Sequence, residues 1–235
     1  MIEIEDILQN EVPNIIFKNV SFSWPGNFEK VINNCSFSIT KPGLWMIVGK
    51  NGSGKSTLLK LIIGLLKPSK GVINNQANVG MVFQNPDHQI LMPNCRSELL
   101  LNINQKLGRK DVTNKINIAL NKVGLTGFDK RPIYTLSGGQ KQRLTIASSL
   151  ISDKNFILMD EPTALLDSSS QLEVLEIIKD LTKNKRNPFT ALWITHRLEE
   201  LSYADAVAEM KNGNLSDWQK PVSYTHLRAH ETTHD

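Results

Sequence analysis

The stretch "NCSFSIT", residues 34–40, sets Cys35, Phe37 and Ile39 against Ser36, Ser38 and Thr40. That alternation is the period of a strand with one buried face. Pro42-Gly43 then turns the chain, and "LWMIVG" reads as a fully buried strand running straight into a glycine loop. "KSTLLKLIIGLL" predicts the helix behind that loop, stopped by Pro68, which cannot continue it. From Glu98 to about Leu150 convincing strands are missing, and Ile116, Ala119, Leu120 and Val123 recur at helical spacing ahead of Gly124. Strand character returns at "NFILMDEP", followed by a helix over "QLEVLEIIKDLTK" and another apolar run at "TALWITH". Asn212-Gly213 inside "AVAEMKNGNL" signals a hairpin. Buried strands, glycine turns and following helices predict an α/β protein with a helical insert.

Bulk properties narrow the classes without choosing one. A chain of 235 residues can bury a full core, as one large domain or one domain with an inserted lobe. Cys35 and Cys95 stand far apart, outside any metal-ligand spacing, which suits a reduced intracellular protein. The acidic start "MIEIEDILQNEVPN" has no basic region and no apolar core of a signal peptide. "LLKLIIGLL" is far shorter than the roughly 20 residues that cross a bilayer, and it contains a lysine. Net charge is +4, but no block of basic residues interleaves with aromatics, so no nucleic-acid partner is expected.

The sharpest chemistry lies at Gly49–Thr57, "GKNGSGKST", which matches G-x-x-x-x-G-K-[ST] between the predicted buried strand and helix. A triphosphate needs many donors close to a crowded anion. Gly49, Gly52 and Gly54 let the loop's backbone N–H groups, those of Asn51 and Ser53 included, turn inward, and the helix dipole adds to them. Lys55 would reach the β- and γ-phosphates as a point charge. Ser56 would put its hydroxyl on Mg²⁺, with Thr57 beside it. A second apolar strand, "FILMDE", supplies the acidic partners: Asp160 for Mg²⁺ and Glu161 as general base for an attacking water.

With "LSGGQKQR", residues 136–143, the sequence resembles the nucleotide-binding subunit of an ATP-binding cassette (ABC) transporter, over nearly the whole chain to about Lys220. The resemblance implies a P-loop NTPase core with an N-terminal antiparallel β region and an inserted, mainly helical subdomain. The core would span 1–84 and 151–221, and the helical subdomain 85–150. It also implies that Ser137, Gly138, Gly139 and Gln140 form a second phosphate contact, made to ATP held by another subunit's phosphate loop. Trp24 falls where the family has an aromatic that stacks on adenine. Gln84, at the end of an expected strand "VGMVFQ" (79–84), falls where a glutamine senses Mg²⁺ and water, His196 where a histidine contacts the γ-phosphate, and Asp167 in the loop that crosses to the partner. Leu165 departs from the small residue common in that loop.

Such a protein binds ATP and Mg²⁺, pairs as a homodimer or heterodimer, and hydrolyses ATP to power separate transmembrane permease subunits. It would sit in the cytoplasm, peripheral on the inner face of the membrane. "FQNPDHQI", residues 83–90, resembles the glutamine loop of cobalt, nickel and energy-coupling-factor vitamin importers, although "LMPNCRSELLLNI" and the short C-terminal region depart from that group. Residues 84 to about 103 are then the candidate groove for a coupling helix. Substrate, direction and the identity of the second cassette stay open. The alternative in the same family is a non-transport ABC ATPase, but neither a second cassette nor a coiled-coil insert is present.

A different chemistry is spelled by His230, Glu231 and His234 in "AHETTHD", the H-E-x-x-H pattern of zinc hydrolases. Only Asp235 follows, so the third ligand and the scaffold are missing. The stretch "VSYTHLRAHETTHD", 222–235, is similar to a translated sequencing adapter joined to a truncated frame. It is therefore expected not to be native.

Overall fold

The computed structural model describes residues 14–26, 29–103, 107–184 and 187–222. Two sheets organise them. The larger has six strands: β3 (Gly43–Val48), β5 (Val79–Val82), β6 (Phe156–Asp160), β7 (Thr190–Thr195), β8 (Ala206–Lys211) and β9 (Asn214–Leu215), in the order β5-β6-β7-β3-β8-β9. All its pairings are parallel except that of β8 with β9. The smaller sheet pairs β1 (Ile15–Phe22) antiparallel with both β2 (Ile32–Ile39) and β4 (Lys70–Asn75).

The continuous apolar runs of the parallel strands follow from burial on both faces. Leu44, Met46, Ile157, Met159, Ala191 and Trp193 point into one core, shared with the helices. Ile47, Phe156, Leu158, Leu192 and Ile194 point into the other, shared with α1 (Lys55–Ile62) and the small sheet. β2 follows its alternation over residues 35–39, with Cys35 and Ile39 buried, Phe37 partly buried and the serines between them exposed.

Between β5 and β6 the described chain is helical: α2 (Cys95–Leu100), α3 (Arg109–Lys122) and α4 (Gly138–Ile151), with short 3-10 turns. Ile116, Ala119 and Leu120 form the buried face of α3, as their spacing requires. After β6, α5 (Ser168–Thr182) returns across the sheet. The Asn212-Gly213 hairpin forms with φ of 50° and 75°, both left-handed, joining Lys211 to its cross-strand partner Asn214.

Three boundaries differ from expectation. α1 ends at Ile62 rather than running to Pro68, because Gly64 takes a left-handed φ of 75° and turns the chain out of the helix. α5 begins at Ser168 rather than at Gln171, since Asp167 caps it by accepting from the Ser170 N–H. The strand expected to run through "VGMVFQ" stops at Val82, and Gln84 lies exposed in the bend beyond it.

Candidate functional site

The site residues gather because four neighbouring parallel strands end on one edge of the sheet, where α/β proteins hold ligands. β3 ends at Val48 and opens into the glycine loop, and β6 ends at Asp160 with Glu161 next. β7 ends at Thr195 with His196 next, and β5 ends two residues before Gln84. The expected Gln84, Lys55, Asp160, Glu161 and His196 thus lie along one rim.

In the loop, a side chain at Gly49 would run into the Met210 carbonyl, so only glycine lets this turn pass under β8. Gly54, with φ of 104°, turns the chain into α1. Lys55 is 6% exposed; its Nζ donates to the carbonyls of Gly49 at 2.8 Å and Lys50 at 3.0 Å. Burial holds its pKa below the usual lysine value, against the opposing pull of Glu161 and Asp160. Ser53 Oγ is buried without a hydrogen-bond partner among the described residues, a polar atom that an oxyanion would satisfy.

Ser56, the second residue of α1, reaches across to β6, where its Oγ donates to Asp160 Oδ1 at 3.2 Å. Burial pushes the Asp160 carboxyl above its ordinary range, partly offset by the Ser56 hydrogen bond. An under-compensated carboxylate beside a hydroxyl is a hard-oxygen donor set of the kind that Mg²⁺ prefers. The residues present therefore fit the ion.

Glu161 has φ of 47°, uncommon for a residue with a side chain, and its N–H is held by the Ile194 carbonyl at 3.0 Å. That turn carries its carboxylate to the end of the neighbouring strand, where Oε2 lies 3.1 Å from His196 Nδ1. With Nδ1 turned to Glu161, the imidazole Nε2 can serve another partner. The His196 side chain is half exposed.

The signature residues lie at the start of α4. Ser137 and Gln140 form a reciprocal capping box: Ser137 Oγ accepts from the Gln140 N–H at 3.2 Å, and Gln140 Oε1 accepts from the Ser137 N–H at 3.1 Å. The Ser137 hydroxyl hydrogen remains available to donate, beside the N–H groups of a positive helix end. Asp167 is held below the usual carboxylate range by the Ser169 hydroxyl first and then by Ser170. Trp24 is exposed at 39%, edge-on to Phe22 at 5.2 Å, with Lys60 Nζ 5.9 Å from its ring centre.

Several contacts gave no signal in the sequence. Gln142 on α4 is fully buried, and its Nε2 donates to the Phe83 carbonyl at 3.2 Å. Lys141 pairs with Asp87 at 2.7 Å. Both tie α4 to the loop that carries Gln84. Glu98 is buried and accepts from the N–H groups of Leu91 and Met92 at 2.9 Å each. A glutamine or glutamate on a helix ordinarily reads as a solvated position. Burial pushes Cys35 and Cys95 up to about 11 each, so both free thiols are poor nucleophiles at neutral pH. His230, Glu231 and His234 lie outside the described residues. Among the described residues no group of three or more potential ligands is placed to hold a metal, and no helix is long and apolar enough to cross a membrane.

A P-loop at the end of a parallel strand, an acidic pair on the second strand over and a capped glycine signature define an ABC-type ATP-binding protein. Residues 32–164 match the ABC transporter family model, and the chain belongs to that family. It is 44% identical over 187 residues to ABC transporter I family member 10 of Arabidopsis thaliana, covering 79% of this chain and 69% of the relative. It is 35% identical over 223 residues to the energy-coupling factor transporter ATP-binding protein EcfA1 of Streptococcus pyogenes, covering 88% and 79% respectively. The solved structure of cbiO1 from Clostridium perfringens, described as part of the ABC transporter complex cbiONQ, superposes with a TM-score of 0.84 at 26% identity and covers 91% of each chain. The chain is thus an ATP-binding subunit of ABC type, allied to the cobalt and energy-coupling group.

Proposed function

We propose that this subunit hydrolyses ATP to drive uptake through separate membrane-spanning subunits. The core formed by 1–84 and 151–221 would hold the nucleotide, and 85–150 would carry the signature to a second cassette. Gly49, Asn51, Gly52, Ser53, Gly54, Lys55 and Thr57 would cradle the phosphates, with Trp24 stacked on the base. Ser56, Asp160 and Gln84 would hold Mg²⁺, which supplies neutralisation of phosphate charge. Glu161 takes the proton of the attacking water as general base, and His196, oriented through Nδ1, offers Nε2 to the transferring phosphoryl group. Ser137, Gly138, Gly139 and Gln140 would contact the ATP of the facing cassette, with Asp167 beside that junction.

The observation that carries this reading is the pair of contacts at adjacent strand ends, Ser56 Oγ with Asp160 Oδ1 at 3.2 Å and His196 Nδ1 with Glu161 Oε2 at 3.1 Å. One pair supplies ligands for a cation and the other a base with its orienting partner. The named relatives support an energy-coupling role, and the sequence resemblance points to a transition-metal ion or a vitamin as cargo. Phe83, Leu91, Leu100 and Leu101 are exposed apolar residues in and beside segment 84–103, a surface suited to a short amphipathic helix of the membrane subunit.

The reading is tested by Mg-ATP turnover of the wild type and Glu161→Gln. The wild type should hydrolyse ATP. The variant should lose turnover by about 10²-fold or more, the size expected of a lost general base, yet bind ATP and accumulate as a dimer on sizing chromatography. A Glu161→Gln variant with wild-type turnover would remove Glu161 from the mechanism.

A further inference from the structure

Glu200 is only 2% exposed, on the short 3-10 segment Leu198–Tyr203. Thr163 Oγ1 donates to Glu200 Oε1, and Trp193 Nε1 donates to Oε2 at 3.0 Å. Arg197 Nε lies 3.9 Å from Oε1 but makes its closer contact, 2.9 Å, with Glu199. The carboxylate is thus held chiefly by two neutral donors, both buried.

Thr163 follows Glu161 by two residues, and Arg197 follows His196 by one. A closed circuit results: Glu161 touches His196, the chain passes to Arg197, Glu200 stands against Arg197 and accepts from Thr163, and the chain returns through Pro162 to Glu161. Trp193, three residues before His196 on β7, fixes the carboxylate to the sheet. Removing the carboxylate alone would strand the buried Trp193 and Thr163 donors, so these two hydrogen bonds also hold the fold. What singles Glu200 out is its placement behind both Glu161 and His196, which a merely structural acceptor would not need.

We propose that Glu200 is a positioning residue for ATP hydrolysis: it tethers the segments behind Glu161 and His196 and so sets their separation. This rests on the reading that those two residues act on the nucleotide. Glu200 itself touches no reacting atom. Its loss should slow turnover without weakening ATP binding, and only while His196 is present to be misplaced.

The test measures kcat, KM for Mg-ATP and Tm for the full chain carrying Glu200→Gln, Glu200→Leu, His196→Ala and Glu200→Leu/His196→Ala. A glutamine oxygen can accept from Trp193 while its NH₂ donates to the Thr163 hydroxyl, which accepts as readily as it donates. Glu200→Gln should therefore stay within about threefold of wild-type kcat, the conservative variant sparing both hydrogen bonds. Glu200→Leu should lower kcat by about 10²-fold, the cost of misplacing reacting groups by an ångström, with KM little changed. The double variant should be no slower than His196→Ala alone, because residues acting through one another are non-additive. If Glu200→Leu does not fold, Thr163→Val, which removes one donor at nearly constant shape, replaces it in the same cycle.

Additive losses in the double variant, a raised KM at unchanged kcat, or wild-type kcat in Glu200→Leu would overturn the assignment while leaving the ATPase reading intact. A folded wild type that turns over no Mg-ATP would instead sink that reading, and this inference with it.

Discussion

Gly139 of the signature lies so close to Ser170 of α5 that a Cβ on the glycine would stand 2.5 Å from Ser170 Oγ and 2.6 Å from Ser170 Cβ. Ser170 Oγ in turn donates to Asp167 Oδ2 at 2.8 Å. The signature and the loop before α5 are therefore packed as one unit, and the second glycine of the motif has a steric reason within this chain.

Gly139→Ala should force α4 and α5 apart. The expected cost is about 1–3 kcal/mol, the usual range for overpacking, read as a lowered Tm. Ser170→Gly in the Gly139→Ala background should restore part of it by clearing the Cβ contact. A Gly139→Ala variant as stable as the wild type would show that the two helix starts are not held together.

Asp160 is expected to trade stability for ligand binding. Its folded pKa is raised by burial, so its contribution to stability is fully present below the unfolded carboxylate value and is lost as pH rises through the folded one. Asp160→Asn removes the charge. Without nucleotide it should melt higher than the wild type near neutral pH, and the gap should close as pH falls into the acid range where both states of the wild type are protonated. The same variant should lose Mg²⁺-dependent ATP hydrolysis. A gap that widened on acidification would contradict the sign of this shift.

Exposed apolar residues stand in and beside segment 84–103: Phe83, Leu91, Leu100 and Leu101. Leu91, 75% exposed, projects from a turn held by Glu98. Leu91→Glu should abolish co-purification with the membrane subunits while leaving Mg-ATP turnover of the isolated subunit within about twofold, because surface substitutions away from special features change stability little. Retained co-purification would place the docking surface elsewhere.

Much of this arrangement was legible in the sequence, for physical reasons. Strands buried on both faces must be continuously apolar, which exposed "LWMIV", "FILM" and "TALWIT", and a phosphate loop must be glycine-rich where the backbone turns inward. β4 was not legible: "KGVINN" is mostly polar and exposed because it sits at the edge of the small sheet, with no buried face to imprint a period. The α1 boundary failed because Gly64 acts through backbone conformation, while the apolar pattern continues past it through Leu65 and Leu66. Glu200, Gln142 and Glu98 were missed for one reason. Gln142 and Glu200 bond groups 59 and 37 residues away, and Glu98 bonds the backbone of a turn six and seven residues before it; sequence spacing carries no trace of any of these hydrogen bonds.

Isothermal titration calorimetry with Mg-ATP, on the wild type and on Lys55→Ala, tests most directly whether the loop at 49–57 is the nucleotide site. Saturable binding by the wild type, weakened about 10- to 150-fold when the buried ammonium is removed (a lost charge-assisted contact at ~1.5–3 kcal/mol), is the outcome predicted. Equal heats from the two proteins, or none from a folded wild type, would contradict it.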